Sequence, residues 1–175
     1  SYGYQNLLWN TVCGLLTDGA AAIALAFPRT QHPRAVARRA REAAVTVFPG
    51  APAFLDMLAR SVAPDDMPDN LRLCISVGTA LSARIHDAFT SRFGVPLWQS
   101  YGASEAGPVC LNKLGTATGD LVDLGTVCEG VTVRIVGDDG AEVPDGVTGE
   151  MVIETPAVGL CYEGGTDGAS RIGAG

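Results

Sequence analysis

The chain has 175 residues, of which 47% are hydrophobic and 18% charged, and its formal net charge at pH 7 is -7. This length and apolar content suit one domain with a packed core, or one domain with a small appendage, and they exclude a chain that is disordered by composition. The acidic balance argues against a nucleic-acid groove, which needs a basic surface.

The five cysteines are scattered and form no Cys-x-x-Cys pair, so we interpret them as free thiols of a reducing cytosol. No stretch resembles a signal peptide, and the apolar run at residues 20–27 is too short to cross a bilayer. The sequence therefore predicts a cytoplasmic protein with no membrane span.

Helical and strand-like segments alternate through the first two-thirds of the chain. Ser82 is a candidate N-cap for the last of these helices, and His86 on that helix is expected at the surface. The predicted helices are residues 4–16, 33–43, 52–62 and 82–93, and the predicted strands are residues 20–27, 45–48, 71–77 and 95–99. This alternation predicts the α/β class, with a mainly parallel sheet flanked by helices.

The pattern changes after about Asn112, where helical periodicity ends and Gly, Thr and Asp become frequent. Residues 131–136 alternate apolar and polar side chains and run into an Asp-Gly turn at residues 137–140, which is a hairpin signal. Short strands of this kind predict a small antiparallel β subdomain, barrel-like in form. We place an α/β subdomain at residues 1–112, the β subdomain at residues 113–163 and a flexible tail at residues 164–175.

The stretch at residues 98–108 is the most informative about function. It follows an apolar run, and Gly102 and Gly107 flank a hydroxyl and a carboxylate, Ser104 and Glu105. A strand that ends in such a turn is how an open α/β sheet presents a ligand site at its carboxyl edge, and the carboxylate can bind a divalent cation. An ordinary strand-to-loop corner, with a solvated acid, is the alternative on residue types alone.

The segment Tyr101-Gly102-Ala103-Ser104-Glu105 resembles the Tyr-Gly-x-Ser/Thr-Glu signature of the acyl-adenylating enzymes, the ANL superfamily. This superfamily includes acyl-CoA and aryl-CoA synthetases, firefly luciferase and peptide-synthetase adenylation domains. Three further segments resemble motifs of the same family in the same order: residues 46–52 its Val-Pro-x-x-Pro turn, residues 73–81 its Ser-Gly-Gly-Ala-x-Leu loop, and residues 149–162 its Gly-Glu-Ile-x-Ile…Gly-Tyr motif. Four motif matches in the family's order identify the family far more specifically than one match does.

The resemblance implies roles for particular residues. The residues implied to bind the nucleotide are Gly78, Thr79, Ala80, Gln99, Ser100, Tyr101 and Gly102. Ser104 and Glu105 are implied to be catalytic, Ser104 at the α-phosphate and Glu105 as a Mg²⁺ ligand. The acyl group is expected to contact residues that follow strands at one edge of the sheet, namely Phe48, Pro49, Gly50, Val77 and Ala103. Tyr4 is expected near the mouth of the pocket.

Two features bear on the substrate. Val77 stands where the family more often has Gly, so the acyl pocket is expected to be narrower, and Val77 and Ala103 are expected to limit the size of the acid. Amino-acid-activating relatives present an Asp near the first helix, and residues 2–7 contain no acid. A fatty, aryl or other non-amino acid is therefore predicted.

The resemblance implies an ATP-dependent acid–thiol ligase that forms acyl-AMP and then a thioester with CoA or with the phosphopantetheine of a carrier protein. The sequence contains neither the family's phosphate loop nor its ribose-binding Asp, and its one lysine, Lys113, matches no catalytic motif. We therefore expect the central part of a larger enzyme, inactive as an isolated chain. Its expected partners are a small carboxylic acid, ATP and the acyl acceptor, with no nucleic acid.

A catalytically silent nucleotide-binding or interaction module derived from this fold is the alternative reading. An α/β nucleotide-binding domain of another kind is disfavoured, because no Gly-x-Gly-x-x-Gly follows any predicted strand.

Overall fold

The computed structural model describes residues 32–158. Its helices are α1 (Pro33–Glu42), α2 (Pro52–Ser61) and α3 (Ala83–Phe93), with a short 3-10 helix at Pro64–Asp66. Its strands are β1 (Val47–Gly50), β2 (Leu73–Ser76), β3 (Leu97–Ala103), β4 (Gly107–Asn112), β5 (Ala117–Thr118), β6 (Leu121–Val122), β7 (Thr126–Val127), β8 (Thr132–Val136) and β9 (Glu150–Glu154). Tyr4, the elements predicted at residues 4–16 and 20–27, and the predicted tail lie outside the described residues.

The three helices begin where local chemistry favours a helix start. Helices α1 and α2 each begin at a proline, whose fixed φ suits the first turn and whose missing N–H is not needed there. Helix α3 follows Ser82, whose Oγ accepts a hydrogen bond from the backbone N–H of Ile85 at 3.3 Å, and ends at Gly94 in the left-handed conformation. The helices predicted at residues 33–43, 52–62 and 82–93 are thus confirmed.

A five-stranded sheet with the order β1-β2-β3-β4-β7 organises the described residues. The strands β1, β2 and β3 are parallel neighbours, and α2 and α3 supply the crossovers between them. The pairs β3–β4 and β4–β7 are antiparallel, so the sheet is mixed. The predicted α/β class is confirmed, with parallel pairing on the β1 side of the sheet.

Strand β3 is longer than the sequence predicts. It continues beyond Gln99 to Ala103, and a turn at residues 104–106 joins it to β4; we name residues 97–112 the motif hairpin. The two strands approach closely at Gly102, where an added Cβ would lie 2.6 Å from the carbonyl oxygen of Gly107. A side chain would not fit there, so glycine permits the strand to continue.

The main core lies between the helices and one face of the sheet. Its fully buried side chains come from α2, α3, β2 and β3 and the loops that follow them; they include Leu55, Leu58, Val62, Cys74, Leu81, Phe89 and Leu97. A smaller cluster, which we name the hairpin cluster, consists of Ala106, Val109 and Cys110, with apolar residues of β8 and β9 packed against it. The motif hairpin is therefore supported by its own apolar contacts.

The sequence predicts that His86 lies at the surface, but the structure mostly buries its side chain. Its side chain is only 15% exposed, and an added Cβ on Gly115 would lie 2.3 Å from its Nε2 atom. The loop after β4 folds against helix α3 at this point, a long-range contact that helical periodicity does not register.

Two small antiparallel sheets, β5–β6 and β8–β9, occupy the chain after the motif hairpin. The predicted turn at residues 137–140 is present, since the N–H of Gly140 donates to the carbonyl of Gly137. Within residues 32–158 these sheets do not close into a barrel. The boundary at residue 112 remains a prediction.

No helix among the described residues is long and apolar enough to cross a membrane.

Candidate functional site

Two parallel strands, β1 and β2, end beside β3 at one edge of the sheet and bring together three of the predicted segments. Gly50 at the end of β1 is the register partner of Ser76 at the end of β2, and the N–H of Val77 donates to the carbonyl of Gly50 at 3.0 Å. Ser76 is in turn the partner of Gln99, after which β3 continues into the motif hairpin. Ligands of open α/β sheets bind outside this edge.

The turn of the motif hairpin presents the two predicted catalytic residues. Ser104 is exposed and Glu105 is half-buried, while Ala106 is buried and its N–H donates to the carbonyl of Ala103 at 3.2 Å. The buried alanine fixes the turn against the hairpin cluster. A hydroxyl and a carboxylate therefore occupy neighbouring positions on a supported turn.

The loop at residues 78–80 follows β2 and lies exposed at the same edge. Gly78 has a φ of 93°, and an added Cβ would meet no atom within 4 Å, so glycine is required there by backbone conformation and not by crowding. Leu81, which is fully buried, anchors the loop at its far end. The exposed backbone of this loop can lie against a flat ligand.

Gln99, on β3, is linked to that loop by a side-chain hydrogen bond. Its side chain is only 2% exposed, and Nε2 donates to the carbonyl oxygen of Thr79 at 3.5 Å. Its Oε1 and the Oγ of Ser76, the register partner on β2, are buried without a hydrogen-bond partner among the described residues. Such unpaired oxygens are uncommon in folded proteins.

The remaining predicted residues differ in their surroundings. Tyr101 is half-buried, pairs with Cys110 and packs against the hairpin cluster, whereas Gly102 beside it is exposed. Phe48 belongs to the main core and stacks on Phe54 with ring centroids 6.3 Å apart. A buried Phe48 can form the floor of a pocket, but its ring is largely occupied by core contacts.

Five other predicted residues are half-buried around the edge. They are Pro49, Gly50, Val77, Ser100 and Ala103.

A groove of about 370 Å³ lies between the turn of the motif hairpin and the β8–β9 sheet. Its walls include Ala103, Glu105, Ala106, Met151, Ile153 and Val158. The groove thus contains two predicted residues, Ala103 and Glu105, and excludes the segments that follow β1 and β2.

Asn112, which the sequence analysis did not single out, organises the loop after β4. Its Oδ1 accepts hydrogen bonds from the N–H groups of Leu114 and Gly115, and its Nδ2 donates to the carbonyl oxygens of Thr116 and Asp123. An Asn shortly before a Gly at a strand end is a recognisable turn signal, so local chemistry could have identified it.

Within residues 32–158, no three His, Cys, Asp or Glu side chains are grouped as a metal cluster. Mg²⁺ does not need one, because it takes one or two protein carboxylates and leaves its other positions to phosphate and water. Glu105 on its turn fits that limited requirement.

The fold and the site define a class: a mixed α/β sheet that presents a hydroxyl, a carboxylate and an exposed glycine loop at the carboxyl edge of its strands. The comparisons identify the family. The chain belongs to the AMP-binding enzyme family, whose family model matches residues 5–163. This confirms the predicted place in the ANL superfamily.

Two curated relatives illustrate the similarity. Benzoate–CoA ligase of Thauera aromatica is 33% identical over 152 residues, which cover 84% of this chain and 28% of the relative. The p-hydroxybenzoic acid–AMP ligase FadD22 of Mycobacterium tuberculosis is 28% identical over 169 residues, which cover 93% of this chain and 22% of the relative. The chain thus spans less than a third of each relative.

Solved structures give the same result for the fold. The anthranilate CoA ligase AuaEII, solved with anthranoyl-AMP, superposes with a TM-score of 0.72 at 26% identity, over 82% of this chain and 28% of that one. A benzoate CoA ligase from Burkholderia xenovorans LB400 also superposes with a TM-score of 0.72, at 28% identity, over 85% of this chain and 30% of that one.

Proposed function

We propose that the chain is the central part of an ATP-dependent carboxylic acid-activating ligase. The reaction joins a carboxylate to the α-phosphorus of ATP, giving acyl-AMP and pyrophosphate, and then transfers the acyl group to the thiol of CoA or of a carrier-protein phosphopantetheine. The observation that carries this proposal is the motif hairpin, which holds Ser104 and Glu105 beside the carboxyl edge of β1–β3. Membership of the AMP-binding enzyme family supports it.

The proposed nucleotide contacts follow the same edge. The exposed loop at residues 78–80 offers backbone groups and an open glycine to the adenine, and the half-buried ring of Tyr101 offers an aromatic face. Ser100 and Gly102 precede and follow Tyr101 in β3. The proposed role of Ser104 is to donate its hydroxyl to the α-phosphate.

Glu105 is the proposed ligand of Mg²⁺. The bound cation would neutralise charge on the phosphates of ATP. The chain's own contribution is to hold the Glu105 carboxylate on a turn that Ala106 fixes in the hairpin cluster, which limits its reorganisation during the reaction.

The proposed acid is a fatty, aryl or other non-amino acid, and the names of the relatives favour an aryl acid within that range. The acyl group is proposed to lie against Pro49, Gly50, Val77 and Ala103. These residues are half-buried and carry no charge, which suits an apolar ring or chain. Activity in the cytoplasm is part of the proposal.

The test is Glu105→Gln in the longer ligase that contains this chain, with Glu142→Gln, an exposed acid elsewhere, as the matched control. We expect Glu105→Gln to lower ATP–pyrophosphate exchange about a hundredfold, the order of loss when one transition-state electrostatic contact is removed. Thioester formation from supplied acyl-AMP should change far less, and Glu142→Gln should change neither rate. Unaltered exchange in Glu105→Gln would refute the assigned role.

The isolated 175-residue chain is expected to show no exchange, because it lacks the phosphate loop and the catalytic Lys that the family motifs include. If the longer protein also shows no exchange with any acid while it still binds ATP, the silent binding module is the better reading.

A further inference from the structure

Cys110 lies on β4 within the hairpin cluster, and Cys128 directly follows the neighbouring strand β7. Cys110 of β4 has Val127 of β7 as its Cα partner, and Cys128 follows Val127 directly. Partner Cα atoms lie about 5 Å apart and consecutive ones about 3.8 Å, so the two cysteine Cα atoms are separated by about 6 Å. That separation falls within the range of about 4.4–6.8 Å found for disulfides.

A β-bulge brings the side chains of Val109 and Cys110 into the same cluster. The register of the motif hairpin shifts between Tyr101 and Gly102, which leaves Val109 as an extra residue of β4. Because a bulge interrupts the alternation of side chains, Val109 and Cys110 both pack in the hairpin cluster. The N–H of Cys128 donates to the carbonyl of Val109 at 2.8 Å, which holds Cys128 beside this pair.

The two thiols differ in access. Cys110 is buried, and its burial, together with the nearby Cys128, raises the pKa of its thiol. Cys128 is half-buried and lies next to exposed residues on both sides. An oxidant therefore reaches Cys128 first, and Cys110 is the neighbour that can respond to it.

We propose that Cys110 and Cys128 form a reversible intrachain disulfide when the protein meets a peroxide. The thiolate of Cys128 attacks one oxygen of hydrogen peroxide, which forms a sulfenic acid and releases the other oxygen as hydroxide, and protonation turns that hydroxide into water. The thiol of Cys110 loses its proton and attacks the Cys128 sulfur, which expels a second water as the S–S bond forms. Two thiols are oxidised, one peroxide is reduced to two waters, and an external dithiol reverses the bond.

The bond would link β7 to β4, the second strand of the motif hairpin. Oxidation would thereby fasten a two-residue edge strand, β7, to the strand that follows Ser104 and Glu105. The proposal concerns a modification site and does not depend on the proposed ligase activity.

The sequence offers a direct assay, because trypsin cuts at Arg72, Arg84, Arg92, Lys113 and Arg134. Each described cysteine then lies in its own peptide: Cys74 in residues 73–84, Cys110 in residues 93–113 and Cys128 in residues 114–134. The native protein is treated with hydrogen peroxide, alkylated without reduction, digested and analysed by mass spectrometry. We expect the Cys110 and Cys128 peptides to be joined, lighter by two hydrogen atoms than their sum, and to separate after dithiothreitol.

Cys74 is the internal control, because it is fully buried and burial raises the pKa of its thiol to about 12. Its peptide should be recovered as that of a reduced thiol, without a link to another cysteine. In Cys110→Ser, the sulfenic acid on Cys128 should accumulate and be trapped by dimedone. In Cys128→Ser, Cys110 should give no such adduct. The proposal is overturned if Cys110 and Cys128 stay unlinked in the native protein, or if Cys74 is linked as often as they are.

Discussion

The narrowest point of the motif hairpin provides a sharp test of how the site is held. In Gly102→Ala the new Cβ would lie 2.6 Å from the carbonyl oxygen of Gly107 and 3.2 Å from the Cα of Pro108. Both obstacles are backbone atoms, so no side chain can rotate away to relieve the overlap. The two strands must separate at the base of the turn that carries Ser104 and Glu105.

The expected loss of stability in Gly102→Ala follows from this contact with backbone atoms. Overpacking that forces a backbone shift costs about 1–3 kcal/mol. For a domain of this size each kcal/mol lowers the melting temperature by about 2–4 °C, so the expected decrease is roughly 2–12 °C. In the proposed longer ligase, we expect a displacement of about 1 Å at the turn to lower adenylation by roughly a hundredfold.

Gly94→Ala is the matched control. Gly94 has a φ of 65° and open space around it, so alanine there pays a conformational cost of about 1–2 kcal/mol without touching the motif hairpin. Thermal unfolding and ATP–pyrophosphate exchange are measured for both variants. We expect both to be destabilised and only Gly102→Ala to lose exchange well below its melting temperature. A Gly102→Ala protein with parental stability and exchange would refute the close approach.

Two further predictions concern stability. Ser82→Ala removes the N-cap hydrogen bond to Ile85 and should lower the free energy of unfolding by about 0.5–2 kcal/mol, seen as a lower urea midpoint; an unchanged midpoint would contradict the cap. Burial raises the pKa of the Cys74 thiol from 9.0 to about 12, so its contribution to stability is complete below pH 9 and is lost as the pH rises from about 9 to 12. Urea unfolding in alkali should show a weaker pH dependence for Cys74→Ala than for the parent, and equal slopes would contradict the shift.

The helices could be predicted from the sequence because their signals are local. Pro33 and Pro52 begin two helices, Ser82 caps the third, and Gly94 ends it. Each of these residues acts through the backbone within one turn of itself, so no knowledge of distant contacts is needed.

The path of the chain through the motif could not be predicted in the same way. The sequence predicts that Gly102 is a turn residue, yet it lies within a strand because Gly107 packs against it from β4. The same limitation applies to His86, which the loop containing Gly115 covers. In both cases a partner distant along the chain decides the environment, and the periodicity of the segment does not contain that information.

Gln99 is the residue for which the sequence and the structure favour different roles. The resemblance implies that Gln99 contacts the nucleotide, whereas the structure buries its side chain and directs Nε2 to the carbonyl of Thr79. A contact with the adenine amino group and support of the loop at residues 78–80 predict different kinetics. The distinction can be measured with ATP and with purine riboside triphosphate, which lacks the amino group.

We expect Gln99→Leu in the longer ligase to raise KM for both nucleotides by a similar factor and to leave KM for the acid unchanged. The physical reason is that leucine fills the buried volume but no longer holds the Thr79 carbonyl, so the loop becomes less ordered for any purine. A loss of one such hydrogen bond corresponds to about 0.5–1.5 kcal/mol, or roughly 2–13-fold in KM. Gln99→Met is the control of similar length; it is uncharged and has no N–H donor, and it should behave as Gln99→Leu does. If Gln99→Leu instead loses the preference for ATP over the analogue, Gln99 contacts the adenine directly, and the buried orientation is not the one that binds nucleotide.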